Sequence, residues 1–111
     1  MDFNEYQNRT QDTAIYPGKG QVGGILYTAL GLGDEAGECL GKVKKMLRDD
    51  NSILTEERRN AIGKEIGDVQ WYIAALAKEC GLSLQDIAEA NIAKLADRKV
   101  RGVLGGSGDN R

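Results

Sequence analysis

Apolar residues along this chain recur in steps of three and four, and no stretch alternates apolar with polar as a half-buried strand would. The longest run lies between Gln21 and about Arg48, where Val22, Ile25, Ala29, Leu32, Ala36, Leu40, Val43 and Leu47 form the stripe of one long helix. A second stripe, Ile62, Ile66, Val69, Ile73, Leu76 and Cys80, predicts another long helix. Thr55, followed by Glu56 and Glu57, suits its N-cap, and Gly81 stops it. Ser83, with Asp86 three positions on, opens a further helix that turns Leu84, Ile87, Ala88, Ile92 and Leu95 inward and fades near Val100. Ahead of all these, Asp2 caps a helix from Phe3 to about Ala14 with Phe3, Tyr6, Thr10 and Thr13 on its inner side. Tyr16-Pro17-Gly18-Lys19-Gly20 ends it.

The pattern predicts an all-α fold, a bundle of about four helices of which two are long. Its length of 111 residues suits one domain, 1–104, with a glycine-rich tail, 105–111, whose low apolar content gives it no order of its own. A single layer cannot cover both long stripes, so oligomerisation is expected to complete the core, as a homodimer or a dimer of dimers. Glycine is abundant in the second helix, at Gly23, Gly24, Gly31, Gly33, Gly37 and Gly41, and each costs up to about 1 kcal/mol relative to alanine. Either a close neighbour offsets that cost, or the helix breaks near Gly31 to Gly33.

Charge and composition exclude several functions. Lys and Arg total 15 against 17 Asp and Glu, a net charge of −2, which gives no support to nucleic-acid binding or a basic membrane surface. No apolar run approaches a membrane span, and the polar residues after Met1 do not resemble a signal peptide. Cys39 and Cys80 read as reduced thiols, and a soluble cytoplasmic protein is expected. Histidine is absent, which removes the usual general base, the usual zinc ligand and every histidine-activated nucleophile.

Catalysis must then rest on carboxylates, Lys, Tyr or a metal-bound water, and two carboxylate pairs stand out. Glu35 with Glu38, and Glu65 with Asp68, each have spacing i,i+3, so each pair projects from one face of its helix. Two such helices side by side bring four carboxylates to one point, which calls for a cation; oxygen ligands alone favour Mg²⁺ or Mn²⁺ over zinc. The other reading is solvated acids pairing with Lys42, Lys45 or Lys64. On the fourth helix, Asn91, Lys94 and Arg98 share a face. Asn91 serves the metal or stands as a satisfied amide, and the two cations either reach phosphate oxygens or complement the helix dipole. Trp71 and Tyr72, within a turn of Asp68, and Tyr27, two turns before Glu35, stack on a base or fill the core.

The words Gly31-Leu32-Gly33-Asp34-Glu35-Ala36-Gly37-Glu38 and Glu65-Ile66-Gly67-Asp68-Val69-Gln70-Trp71-Tyr72 resemble those of the MazG-type nucleoside triphosphate pyrophosphohydrolases. Lys94-Leu95-Ala96-Asp97-Arg98, Arg101-Gly102 and the closing Gly106-Ser107-Gly108-Asp109-Asn110-Arg111 are similar to short single-domain members. The resemblance implies hydrolysis of a nucleoside triphosphate to monophosphate and pyrophosphate, with Mg²⁺ held by Glu35, Glu38, Glu65 and Asp68. With no histidine available, a carboxylate not fully used in coordination, Glu35 or Glu38, is expected to take the proton of the attacking water, and a role in nucleotide-pool house-cleaning is expected. Two rivals stand beside it: a phosphoribosyl-ATP pyrophosphohydrolase, which shares the helical fold, and a non-catalytic helical dimer that binds nucleotide. The glycine-rich tail either folds over a neighbouring subunit's site or is disordered.

Overall fold

The computed structural model describes residues 1–111 and is helical throughout, with no strand. Helix α1 spans Phe3–Thr10 and runs into one turn of 3₁₀ helix, Gln11–Thr13; α2 spans Val22–Asp49, α3 Glu56–Glu79 and α4 Leu84–Val100. No helix is long and apolar enough to cross a membrane.

The caps are those the sequence indicates. Asp2 accepts from the Glu5 amide, Thr55 from Arg58 and Ser83 from Asp86, each quenching an otherwise unpaired N–H of a first turn. At the other end of α3 the Leu82 amide donates to the Ala77 carbonyl and Gly81 to Lys78, a Schellman motif that needs the left-handed φ of +71° that glycine adopts freely. The same motif ends α4 at Gly102. The first helix tightens to a 3₁₀ turn after Thr10, earlier than expected.

Helices α2 and α3 form an antiparallel hairpin, the most extensive packing in the molecule, and α1 and α4 lie against α3. The second helix does not break at its glycines. Gly31 takes the ring of Tyr72, which leaves no room there for a Cβ. Gly24 similarly admits Glu79 and the Gly18 carbonyl. Gly33, Gly37 and Gly41 have nothing within 4 Å. Thr28, fully buried, returns its hydroxyl to the Gly24 carbonyl. The face of α2 turned to α3 therefore runs through Gly24, Thr28, Gly31, Glu35 and Lys42, beside the predicted stripe and not along it.

That offset leaves much of the stripe uncovered, although Ile25, Leu32 and Ala36 are half-buried. Leu40 is 69% exposed and Leu47 58%, Leu30 beside the stripe is 75% exposed, and Ile66 and Ile73 of α3 are also exposed. On α4 the expected inward set is only partly enclosed: Leu84 is buried and Ala88 half-buried, while Ile87, Ile92 and Leu95 are exposed. The reason is that α4 touches α1 and α3 but lays its apolar face on neither.

A residue outside every stripe ties α1 down. Buried Gln7 donates to the Ala74 and Leu82 carbonyls and accepts from the Leu84 amide, so one amide side chain joins α1 to the α3–α4 turn. The tail is also tied down: the Arg111 guanidinium donates to the carbonyls of Val103, Leu104, Gly105 and Gly108. Hydrogen bonds do for it what apolar burial cannot.

Gly31→Ala is expected to lower stability by about 1–2 kcal/mol, overpacking against Tyr72 outweighing the gain in helix propensity. Gly63→Ala, with nothing within 4 Å, is expected to raise it by up to about 1 kcal/mol. Urea unfolding of both variants checks the contrast.

Candidate functional site

The register of the hairpin builds the site. Gly31 meets Tyr72, so one turn towards the hairpin loop Glu35 comes opposite Asp68, and further on Lys42 reaches Glu65 at 3.8 Å and Asp50 pairs with Arg58 at 2.8 Å. One carboxylate oxygen from each of Glu35, Glu65 and Asp68 lies within 4.8 Å of the others. Glu65 and Asp68 are there together because i,i+3 positions share a helix face. Glu35 joins them because the glycine a turn earlier lets α3 approach.

Gathering like charges has a measurable cost. The Glu35 carboxyl is held above its ordinary value, first by burial, then by the charges of Asp68, Glu65, Asp34 and Glu38. Lys42 is the one cation paired to the group. On the far side, burial and then the charge of Asp68 raise the Tyr6 phenol, which therefore borders the acids as a neutral hydroxyl.

The donor set fits a hard divalent cation. Oxygens bound at about 2.1 Å to one Mg²⁺ lie no more than about 4.2 Å apart, and at the longer bonds of Ca²⁺ somewhat more. A span of 4.8 Å is within a small side-chain rotation of that. Nitrogen and sulfur donors, which zinc prefers, do not belong to the group. Glu38, exposed on α2, is not part of it; its charge still acts on Glu35.

Beside the acids lies an aromatic wall. Tyr16 stacks on Tyr27 with ring centres 5.4 Å apart, and Trp71 stands edge-on to Tyr16 at 6.3 Å and to Tyr72 at 5.1 Å. The Trp71 indole N–H donates to the Thr13 hydroxyl. Tyr16 donates to Glu79, which also accepts from the Gly20 amide, so the loop before α2 is fixed to α3. A cleft of about 310 Å³ lined by Tyr27, Leu30, Gly31, Asp34 and Tyr72 opens next to Glu35.

The remaining candidates lie elsewhere. Asn91 is exposed on α4, and Lys94 and Arg98 bond to the tail and to no group of α2 or α3. One chain thus brings Glu35, Glu65 and Asp68 together with Tyr72 a turn away, and leaves Asn91, Lys94 and Arg98 apart from them. Sequence reasoning passed over Asp34, which lines the cleft, and Tyr6, assigned to the core. Asp34 had a signal, since it stands i,i+4 to Glu38; Tyr6 had none.

Fold and site together define an all-helical protein with a cluster of carboxylates, able to hold a cation, at the crossing of two antiparallel helices. Residues 25–102 match the MazG nucleotide pyrophosphohydrolase domain. The chain is 46% identical over 114 residues to the "Gene 37 protein" of Mycobacterium phage L5, an alignment covering 100% of both chains. No solved structure matches it. The chain belongs to the MazG nucleotide pyrophosphohydrolase family.

The raised Glu35 value carries a sign. A carboxyl held above its ordinary value binds a proton that the unfolded chain releases, so stability falls as pH rises through that window and a penalty persists at neutral pH. In chelator near neutral pH, Glu35→Gln is expected to melt higher than the wild type, the difference fading below the ordinary carboxylate range. Added Mg²⁺ is expected to raise the wild-type melting temperature and to do so less for Glu35→Gln. Differential scanning calorimetry reads both; a lower melting temperature for the metal-free variant would mean the carboxylates do not repel.

Proposed function

We propose that the protein hydrolyses nucleoside triphosphates between the α and β phosphates, releasing nucleoside monophosphate and pyrophosphate, in a nucleotide-pool house-cleaning role. The observation that carries this is the convergence of Glu35, Glu65 and Asp68 on one point beside an aromatic cleft. Members of the family generally depend on a divalent metal. Mg²⁺ or Mn²⁺ held by these acids would neutralise phosphate charge, polarise the phosphorus and orient water.

The chain's own groups supply the rest. Water oxygen forms the new bond to phosphorus as the bond to the bridging oxygen breaks, and pyrophosphate leaves with the electron pair. The water proton goes to a carboxylate, since there is no histidine to take it. Between Glu35 and Glu38, Glu38 has the better claim, because it stands beside the three gathered carboxylates without belonging to them. Tyr72, with Trp71 bracing it, offers a wall against which the base stacks.

Lys94 and Arg98 bind phosphate oxygens in this reading, from a second copy of the chain. The exposed side chains of Leu30, Leu40 and Leu47 support a homodimer or a dimer of dimers, which would also give α4 a surface to cover. Asn91 would then face the same acids as a neutral ligand.

The test is a panel of ordinary and modified triphosphates incubated with Mg²⁺, with pyrophosphate and orthophosphate measured separately. Pyrophosphate is expected as the product. Glu65→Gln and Asp68→Asn are expected to lower kcat/KM on the order of 10²-fold, about 2.7 kcal/mol of barrier, with helicity retained. Orthophosphate alone, or full activity in both variants, would contradict the reading.

A further inference from the structure

The cations of α4 already hold an anion. Lys94 Nζ lies 3.2 Å and Arg98 Nη2 3.4 Å from Asp109 Oδ1, and both cations lower the Asp109 carboxyl from its ordinary value. The same Arg98 nitrogen donates to the Asp109 carbonyl at 2.9 Å. Around this point the chain closes on itself: Arg111 reaches back to the carbonyls of Val103, Gly105 and Gly108, and Arg101 donates to the main-chain oxygen of Arg111. Gly106 and Gly108, at φ of +89° and +86°, make the reversal.

Two kinds of bond hold this clasp. The larger set joins guanidinium groups to main-chain carbonyls and does not involve the Asp109 carboxylate. The smaller set is that carboxylate on Lys94 and Arg98. It is exposed, with 84% of the Asp109 side chain open to solvent, while the Arg98 side chain is only 5% exposed. Exposed ion pairs are worth about 0–1 kcal/mol and yield readily to a stronger anion. A phosphate group brings three acceptor oxygens and more charge than a carboxylate.

We propose that Asp109 is a built-in competitor for the phosphate-binding cations, an internal carboxylate that every phosphate must displace and that lowers the affinity of each. This rests on the reading above that Lys94 and Arg98 meet the substrate's phosphates. The carboxylate swings away while Arg98 keeps its bond to the Asp109 carbonyl and Arg111 keeps the loop closed. The cost of displacing Asp109 is common to all phosphates: a ligand with several charged phosphates, held also by a metal at the acids, has further contacts that offset it. Orthophosphate or a nucleoside monophosphate has fewer and is left weakly bound, which favours departure of the monophosphate product.

Binding of tripolyphosphate and of orthophosphate, each with Mg²⁺, is measured by calorimetry on the full chain. Asp109→Asn is expected to bind orthophosphate and tripolyphosphate each a few-fold tighter than the wild type, and to melt within a degree or two of it, since the carbonyl bonds remain. Asp109→Glu is expected to retain the wild-type affinities. Lys94→Gln is expected to weaken tripolyphosphate binding; if it does not, these cations are not a phosphate site and the functional reading of α4 fails. If Lys94→Gln weakens binding and Asp109→Asn fails to tighten orthophosphate, or weakens both anions, Asp109 positions the cations and does not compete for them, and the proposal is overturned.

Discussion

Three carboxylates pressed together where two helices meet repel one another, and that repulsion is the constraint around which this small fold is arranged. With burial, which acts first, it raises the Glu35 carboxyl; it also draws Lys42 to Glu65 and fixes what the site can hold. A hydrophobic face could have joined α2 and α3 at less cost. The chain instead joins them through glycine, threonine and acid, and keeps Leu26, Leu30, Leu40 and Leu47 exposed. The hairpin surrenders stability at its seam to gather those acids there.

Much of the architecture was legible in the residues. Asp2, Thr55 and Ser83 announce helix starts because a short side-chain acceptor has one efficient use at that position. Gly81 announces a stop for the complementary reason. The paired acids were legible as well, since i,i+3 spacing fixes a shared face before any tertiary contact is known.

What could not be read is equally specific. The stripe on α2 was read from hydrophobicity alone, and hydrophobicity does not say which flank a neighbouring helix takes; Gly31 and Tyr72 decided that, and a glycine in a helix does not name its neighbour. Gln7 belongs to no apolar stripe, and its three partners come from distant parts of the chain, which local spacing does not reveal. The tail looked too poor in apolar groups to order, and it is, by burial; four arginine and lysine side chains order it by hydrogen bonding instead. Glu38 was grouped with the other acids by spacing, whereas the helix crossing favours Glu35.

The central claim is that Glu35, Glu65 and Asp68 share one divalent ion. Anomalous diffraction from crystals grown with Mn²⁺ tests it directly. The account predicts a single strong peak within about 2.2 Å of a carboxylate oxygen from each of these residues. A hairpin carrying no such peak, or a peak bound elsewhere on the chain, would contradict it.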